Sequence, residues 1–181
     1  MGWIVLIILV VIVLIGVAVF NNIVSLENRV SNALGQIDVQ LKKRSDLVPN
    51  LVNTVKGYAA HESSVFENVT KARAMMQSAG TVEEKAAASS ALSSALRSVF
   101  AVAEAYPDLK ANQSFQQLQS ELSDLEDKIA YSRQFYNDTV LAYNNAITTV
   151  PGVFFAPTMG KTQKTMFEAS EGDRAVPAVQ F

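Results

Sequence analysis

Between Trp3 and Phe20 the chain carries no charged residue, and fifteen of these positions are Ile, Leu, Val or Phe. A helix of this length covers about 27 Å, close to the hydrocarbon thickness of a bilayer. On an insertion scale its apolar side chains contribute roughly −5 to −9 kcal/mol, with no charge opposing them. The run is rich in β-branched residues, which in water favour strand. In lipid a lone span has to satisfy every peptide group within its own segment, so it has to be helical. Residues 1–22 are therefore expected to form a transmembrane anchor, with Trp3 at one interface and Ile4, Leu9, Leu14 and Phe20 along the span. A cleaved signal peptide would need a basic start and a small-residue cleavage site. Here no Lys or Arg precedes the run, and it ends Val19-Phe20-Asn21-Asn22.

The rest of the 181-residue chain is charged and mixed in sign, with a formal net charge of −2. It has neither a basic stripe nor a basic balance, so no nucleic-acid partner is expected. The absence of cysteine removes disulfides, thiol catalysis and Cys–zinc sites. The single histidine, His61, excludes a multi-His metal centre, and His61-Glu62 has Val65 where the zinc-protease motif needs its second His. There is no Gly-rich phosphate loop. No cofactor and no enzymatic activity are expected.

Apolar residues then recur at helical spacing. Ile23, Val30 and Ile37 form a heptad row that Arg44 continues; Leu34, Leu41 and Val48 form a second. Further on come Leu51, Tyr58, Val65 and Ala72, then Leu92, Leu96, Val99 and Val102. The longest row is Phe115, Leu122, Ile129, Tyr136 and Tyr143. Rows seven apart are the seam of helices packed at shallow angles. Pro49 suggests a hairpin or break at 45–48, although one kinked helix running to Tyr58 also fits. Ala79-Gly80 closes a helix, Thr81-Val-Glu-Glu84 reads as a capping box, Tyr106-Pro107 is a break, and Asn112 is placed to cap the last helix. The expected fold is all-α: the N-terminal transmembrane helix, then an antiparallel up-and-down four-helix bundle of long helices over 23–150, then an irregular tail over 151–181. Val153-Phe154-Phe155, Met166-Phe167 and Phe181 make that tail too apolar for a freely solvated one.

The stretch Asn32-Ala33-Leu34-Gly35-Gln36-Ile37-Asp38-Val39-Gln40-Leu41-Lys42-Lys43-Arg44-Ser45-Asp46-Leu47-Val48-Pro49-Asn50-Leu51-Val52 resembles the signature of the LemA family. Val55-Lys56-Gly57-Tyr58, the Tyr136-Asn137 and Tyr143-Asn144 pairs and Phe167-Glu168-Ala169 extend the likeness; Thr158-Met159-Gly160-Lys161-Thr162 departs from it. The resemblance implies a bacterial-type single-pass membrane protein with a four-helix-bundle body, and it implies no reaction.

The candidate sites are contact surfaces. If both 45–48 and 105–111 are connections, Arg44, Asp46, Asn50, Asp108 and Lys110 meet at one tip, with Arg44 paired to Asp108 or Asp46. Phe154, Phe155, Phe167 and Phe181 are the candidate tail contacts. The expected partners are the lipid bilayer, further copies of the chain as a homo-oligomer, and a membrane protein. The expected role is a self-associating scaffold that organises or shapes a membrane; the alternative is an adaptor or sensor for a membrane protease or signalling protein in envelope homeostasis. Arg29 and Lys42-Lys43-Arg44 follow the span and nothing basic precedes it, which directs the body to the cytoplasmic side of the cell membrane.

Overall fold

A computed structural model describes residues 2–59 and 61–167. They form α1 (Gly2–Lys56), α2 (Ser63–Ser78), α3 (Val82–Ala103), α4 (Pro107–Lys110), α5 (Gln113–Thr148) and α6 (Gly152–Phe155), with no strand among the described residues. The protein is all-α, and its N-terminal helix is apolar and long enough to cross a membrane. By length and composition α3 passes the same test. Its Leu92, Leu96 and Val99, however, are buried in a protein core, which accounts for its apolar character.

The hairpin considered at 45–48 does not form. α1 runs through Pro49 to Lys56, and the chain turns at Gly57–Tyr58 instead. A proline inside a helix cannot donate to the carbonyl four residues earlier, and at Pro49 that carbonyl belongs to Ser45. The Arg73 side chain on α2 donates Nε to the Ser45 carbonyl at 3.0 Å, so the freed acceptor is satisfied and the helix continues. Arg73→Ala is expected to destabilise the protein by about 1–3 kcal/mol, the usual cost of a buried acceptor left unpaired. Pro49→Ala restores the backbone donor, so in the double variant most of that loss should vanish. Urea midpoints of the four proteins in mild detergent measure the coupling.

Contacts divide the chain into two compact units, Met1–Gln36 with Ser132–Met166, and Ile37–Tyr131 with Phe167–Phe181. Both long helices, α1 and α5, contribute a segment to each.

In the second unit, the end of α1, α2, α3, α4 and the start of α5 surround one core. It includes Val48, Leu51 and Val55 of α1, Phe66 and Val69 of α2, Leu92, Leu96 and Val99 of α3, Leu109 of α4, and Phe115 and Leu122 of α5. Local signals place the helix starts. Thr81 Oγ1 accepts from the Glu84 amide at 3.2 Å, and the Glu84 carboxylate accepts from the Thr81 amide at 3.0 Å, which completes the capping box. Asn112 Oδ1 accepts from the Phe115 amide at 3.1 Å and so caps α5.

In the first unit, α1 buries Ile23, Val30 and Ala33, and α5 buries Tyr136, Val140, Tyr143 and Ile147. Two helices alone leave much of each apolar stripe open, and the chain after α6 covers part of it. Asn144 holds that segment at both backbone groups: its Nδ2 donates to the Lys164 carbonyl at 2.9 Å and its Oδ1 accepts from the Lys164 amide at 2.8 Å. The Tyr136 hydroxyl donates to the Thr165 carbonyl at 2.9 Å. The segment thus runs back along α5, which is the packing expected of an apolar tail, as far as it is described.

Candidate contact surfaces

The five residues expected at a tip do not assemble as one cluster. Arg44 follows Ile23, Val30 and Ile37 on one heptad row of α1, and like them it is buried. Its partner is neither Asp108 nor Asp46. Nη1 lies 2.5 Å from Glu126 Oε2 on α5 and donates to Ser93 Oγ on α3 at 2.9 Å. The expected pairing rested on a connection at 45–48. With α1 unbroken, Arg44 lies mid-helix and reaches the carboxylate that α5 presents. Asp46 pairs with Lys42 one turn away at 3.3 Å, and Lys110 with Glu104 at 2.5 Å. Both of those pairs are solvent-exposed and contribute little. Asn50 and Asp108 are exposed, and the Asn50 carbonyl accepts from Thr54 Oγ1 at 2.8 Å. Lys85 closes a further pair with Asp38 at 2.7 Å.

The anchor residues Trp3, Ile4, Leu9, Leu14 and Phe20 are all at least half exposed, and no segment among the described residues covers them. Along this run Gly16 and Val19 are the half-buried positions, three residues apart and so on one face. The tail phenylalanines differ from one another. Phe154 is 71 % exposed, Phe155 is half-buried with its ring against Gly16, and Phe167 is buried. Phe181 lies outside the described residues.

The first charges beyond the apolar stretch pair with one another. Glu27 of α1 accepts from Lys161, and Lys164 Nζ lies 3.4 Å from its other oxygen. The hydrogen bond from Lys161 holds the Glu27 carboxyl below its ordinary value of 4.5, and the same bond raises Lys161 above 10.5. A carboxylate with a depressed folded-state pKa stabilises the fold above 4.5, and that contribution disappears as the pH falls through the folded value. The raised lysine stabilises below 10.5 and loses its contribution only as the pH rises past its folded value. The pair is therefore intact at neutral pH and fails on acidification. Amide exchange at Lys164 is expected to accelerate as the pH falls below 4.5, after correction for intrinsic rates, and this step should be absent in Glu27→Gln.

The tyrosines and asparagines of α5 differ in their hydrogen bonding. Tyr136 and Asn144 bond the tail segment, as above. Tyr143 is fully buried, and its hydroxyl has no hydrogen-bond partner among the described residues. Burial raises its pKa, as does the nearby Glu27 charge. Lys164 Nζ stands 5.9 Å from its ring centroid.

Among the described residues no three His, Cys, Asp or Glu side chains converge as metal ligands. His61 is exposed, in the connection before α2. Glu126, Arg73 and the Glu27–Lys161 pair are the structural partners that the sequence reading did not single out.

The profile of the LemA family matches residues 33–181. The chain is 25 % identical over 189 residues to the magnetosome protein MamQ of Magnetospirillum gryphiswaldense, covering 90 % of this chain and 70 % of that protein. It is 28 % identical over 159 residues to the protein LemA of Metamycoplasma hominis, covering 85 % and 71 %. The magnetosome protein MamQ 2 of Paramagnetospirillum magneticum is 23 % identical, with coverage of 90 % and 70 %.

Proposed function

Since the chain belongs to the LemA family, we propose that it is a non-enzymatic, membrane-anchored helical scaffold that self-associates and organises or shapes the membrane that holds it. The observation that carries this reading is the continuity of α1, which passes from the exposed apolar run into a buried core without a break. The first buried position, Ile23, follows Phe20 within one turn of the same helix, so no flexible tether separates the apolar run from the packed chain beside it. Two of the relatives are named as magnetosome proteins.

Self-association is supported by surface that a single copy leaves open. The β-branched face of the span is exposed along its length, and Phe135 and Leu141 of α5 are 44 % and 48 % exposed. The basic residues that follow the span orient the body to the cytoplasmic side.

Particle mass of the full chain in mild detergent tests the proposal. A homogeneous particle containing many copies is the expected result. A monomer would overturn it and favour the adaptor reading, in which the partner is a membrane protease or signalling protein.

A further inference from the structure

The α5–α6 turn, taken together with α6 itself, carries three exposed apolar side chains: Val150 at 75 %, Phe154 at 71 % and Val153 at 39 %. Their position follows from α6's packing. A Cβ built on Gly16 would lie 3.4 Å from the Phe155 ring, so α6 sits beside α1 at the level of Gly16. That level is within the apolar run, one turn and about 6 Å inside Phe20.

Charge follows the same boundary on both strands of chain. No charged residue lies before Glu27 on α1, and none lies between Asp138 and Lys161. Glu27 and Lys161, which end these two charge-free stretches, bond to each other. The stretches therefore end at one level, and among the described residues both stretches are neutral on the α6 side of it. Glu27 is eleven residues from Gly16, about 16 Å along the helix.

Several backbone amides of the turn are satisfied internally, which lowers the cost of placing them in a membrane environment. Val153 N donates to Thr149 O at 2.9 Å, Ala156 N to Gly152 O at 2.8 Å and Met159 N to Ala156 O at 3.1 Å. Pro151 and Pro157 have no amide hydrogen to satisfy. The hydroxyls of Thr148, Thr149 and Thr158 all donate to carbonyls of the preceding turn, at 2.7–2.8 Å. Gly152 lets the turn close tightly, because any Cβ there would overlap the Ala146 carbonyl oxygen.

We propose that the α5–α6 turn is a second membrane-contacting element, which places Val150, Val153 and Phe154 among the lipid acyl chains beside the N-terminal span. It does not cross the bilayer; it lies in one leaflet, at the depth typical of interfacial elements, roughly 5–10 Å below the headgroups. The occupant of this apolar surface is lipid, because α6 packs on the span at Gly16, within a run whose side chains other than Val19 are exposed and apolar. A wedge of this kind adds cross-section to one leaflet only, which supplies the physical means for the membrane shaping proposed above. The inference rests on the span remaining in the bilayer.

The chain has no cysteine, so single-cysteine variants carry a label without background. Full-length Leu9→Cys, Phe154→Cys and Ser98→Cys, each bearing a polarity-sensitive fluorophore, are reconstituted in phosphatidylcholine vesicles containing spin-labelled lipid. Phe154 and Ser98 are exposed, so these substitutions leave the fold intact. The expected result is blue-shifted emission at 9 and 154, quenched several-fold by lipid spin labels, with water-like, unquenched emission at 98. Quenching at 9 without quenching at 154 overturns the inference and leaves the anchor standing. Blue-shifted but unquenched emission at 154 overturns it too, since protein then covers the turn. No quenching at 9 removes the anchor and the inference with it.

Discussion

Replacing Glu126 with alanine is expected to lower the unfolding free energy by about 2–3 kcal/mol, a larger effect than any other surface carboxylate should show. The reason lies on the opposite side of the pair. The Arg44 side chain is 5 % exposed and Glu126 43 %. Truncating Glu126 therefore leaves a guanidinium inside the protein with its closest counter-charge gone, while Ser93 remains as a neutral acceptor. The half-open carboxylate and the surviving serine keep the loss at the lower end of what a broken buried pair costs. The double variant Arg44→Met, Glu126→Leu should recover most of it, because a buried pair replaced by apolar groups of similar volume is often neutral. Urea unfolding of the single and double variants in detergent measures both. A Glu126→Ala protein as stable as the parent would show that the pair does not hold α1 to α5.

Tyr143 should respond in opposite ways to two substitutions. Alanine removes a ring that is fully buried, and the expected loss is about 3–5 kcal/mol, as for other large aromatic truncations. Phenylalanine keeps the ring and removes a hydroxyl with no hydrogen-bond partner among the described residues. Its effect is expected to lie between zero and a gain of about 1 kcal/mol, since an unpaired buried hydroxyl is a cost to the folded state. Thermal unfolding of the two variants separates packing from hydrogen bonding at this position. A large loss in Tyr143→Phe would mean that the hydroxyl bonds a group such as water or a ligand.

Much of the core was legible because heptad rows record burial directly. Every member of Phe115, Leu122, Ile129, Tyr136 and Tyr143 is buried, and Arg44 points inward because it continues the Ile23–Val30–Ile37 row. Caps were equally readable at Thr81 and Asn112, where a short polar side chain meets a backbone donor two or three residues on. The break at Pro49 was not, because a local rule about proline was overridden from another helix. Nothing near Pro49 in sequence announces that Arg73 will reach the Ser45 carbonyl. The tip cluster failed with it, since its geometry depended on a turn at 45–48. Partners far apart in sequence, such as Glu27 with Lys161, are set by where the chain returns after α6, and residue spacing carries no record of that return. The phenylalanines of the tail look alike in sequence, and their different burial depends on which of them meets Gly16.

The apolar run of α1 is expected to stay in the bilayer and to hold the helical body to it. Alkaline extraction of membranes from cells producing the full chain, followed by intact-mass measurement, tests this most directly. The protein should remain in the membrane pellet with residues 2–20 still attached. A soluble protein whose sequence starts beyond Phe20 would contradict it.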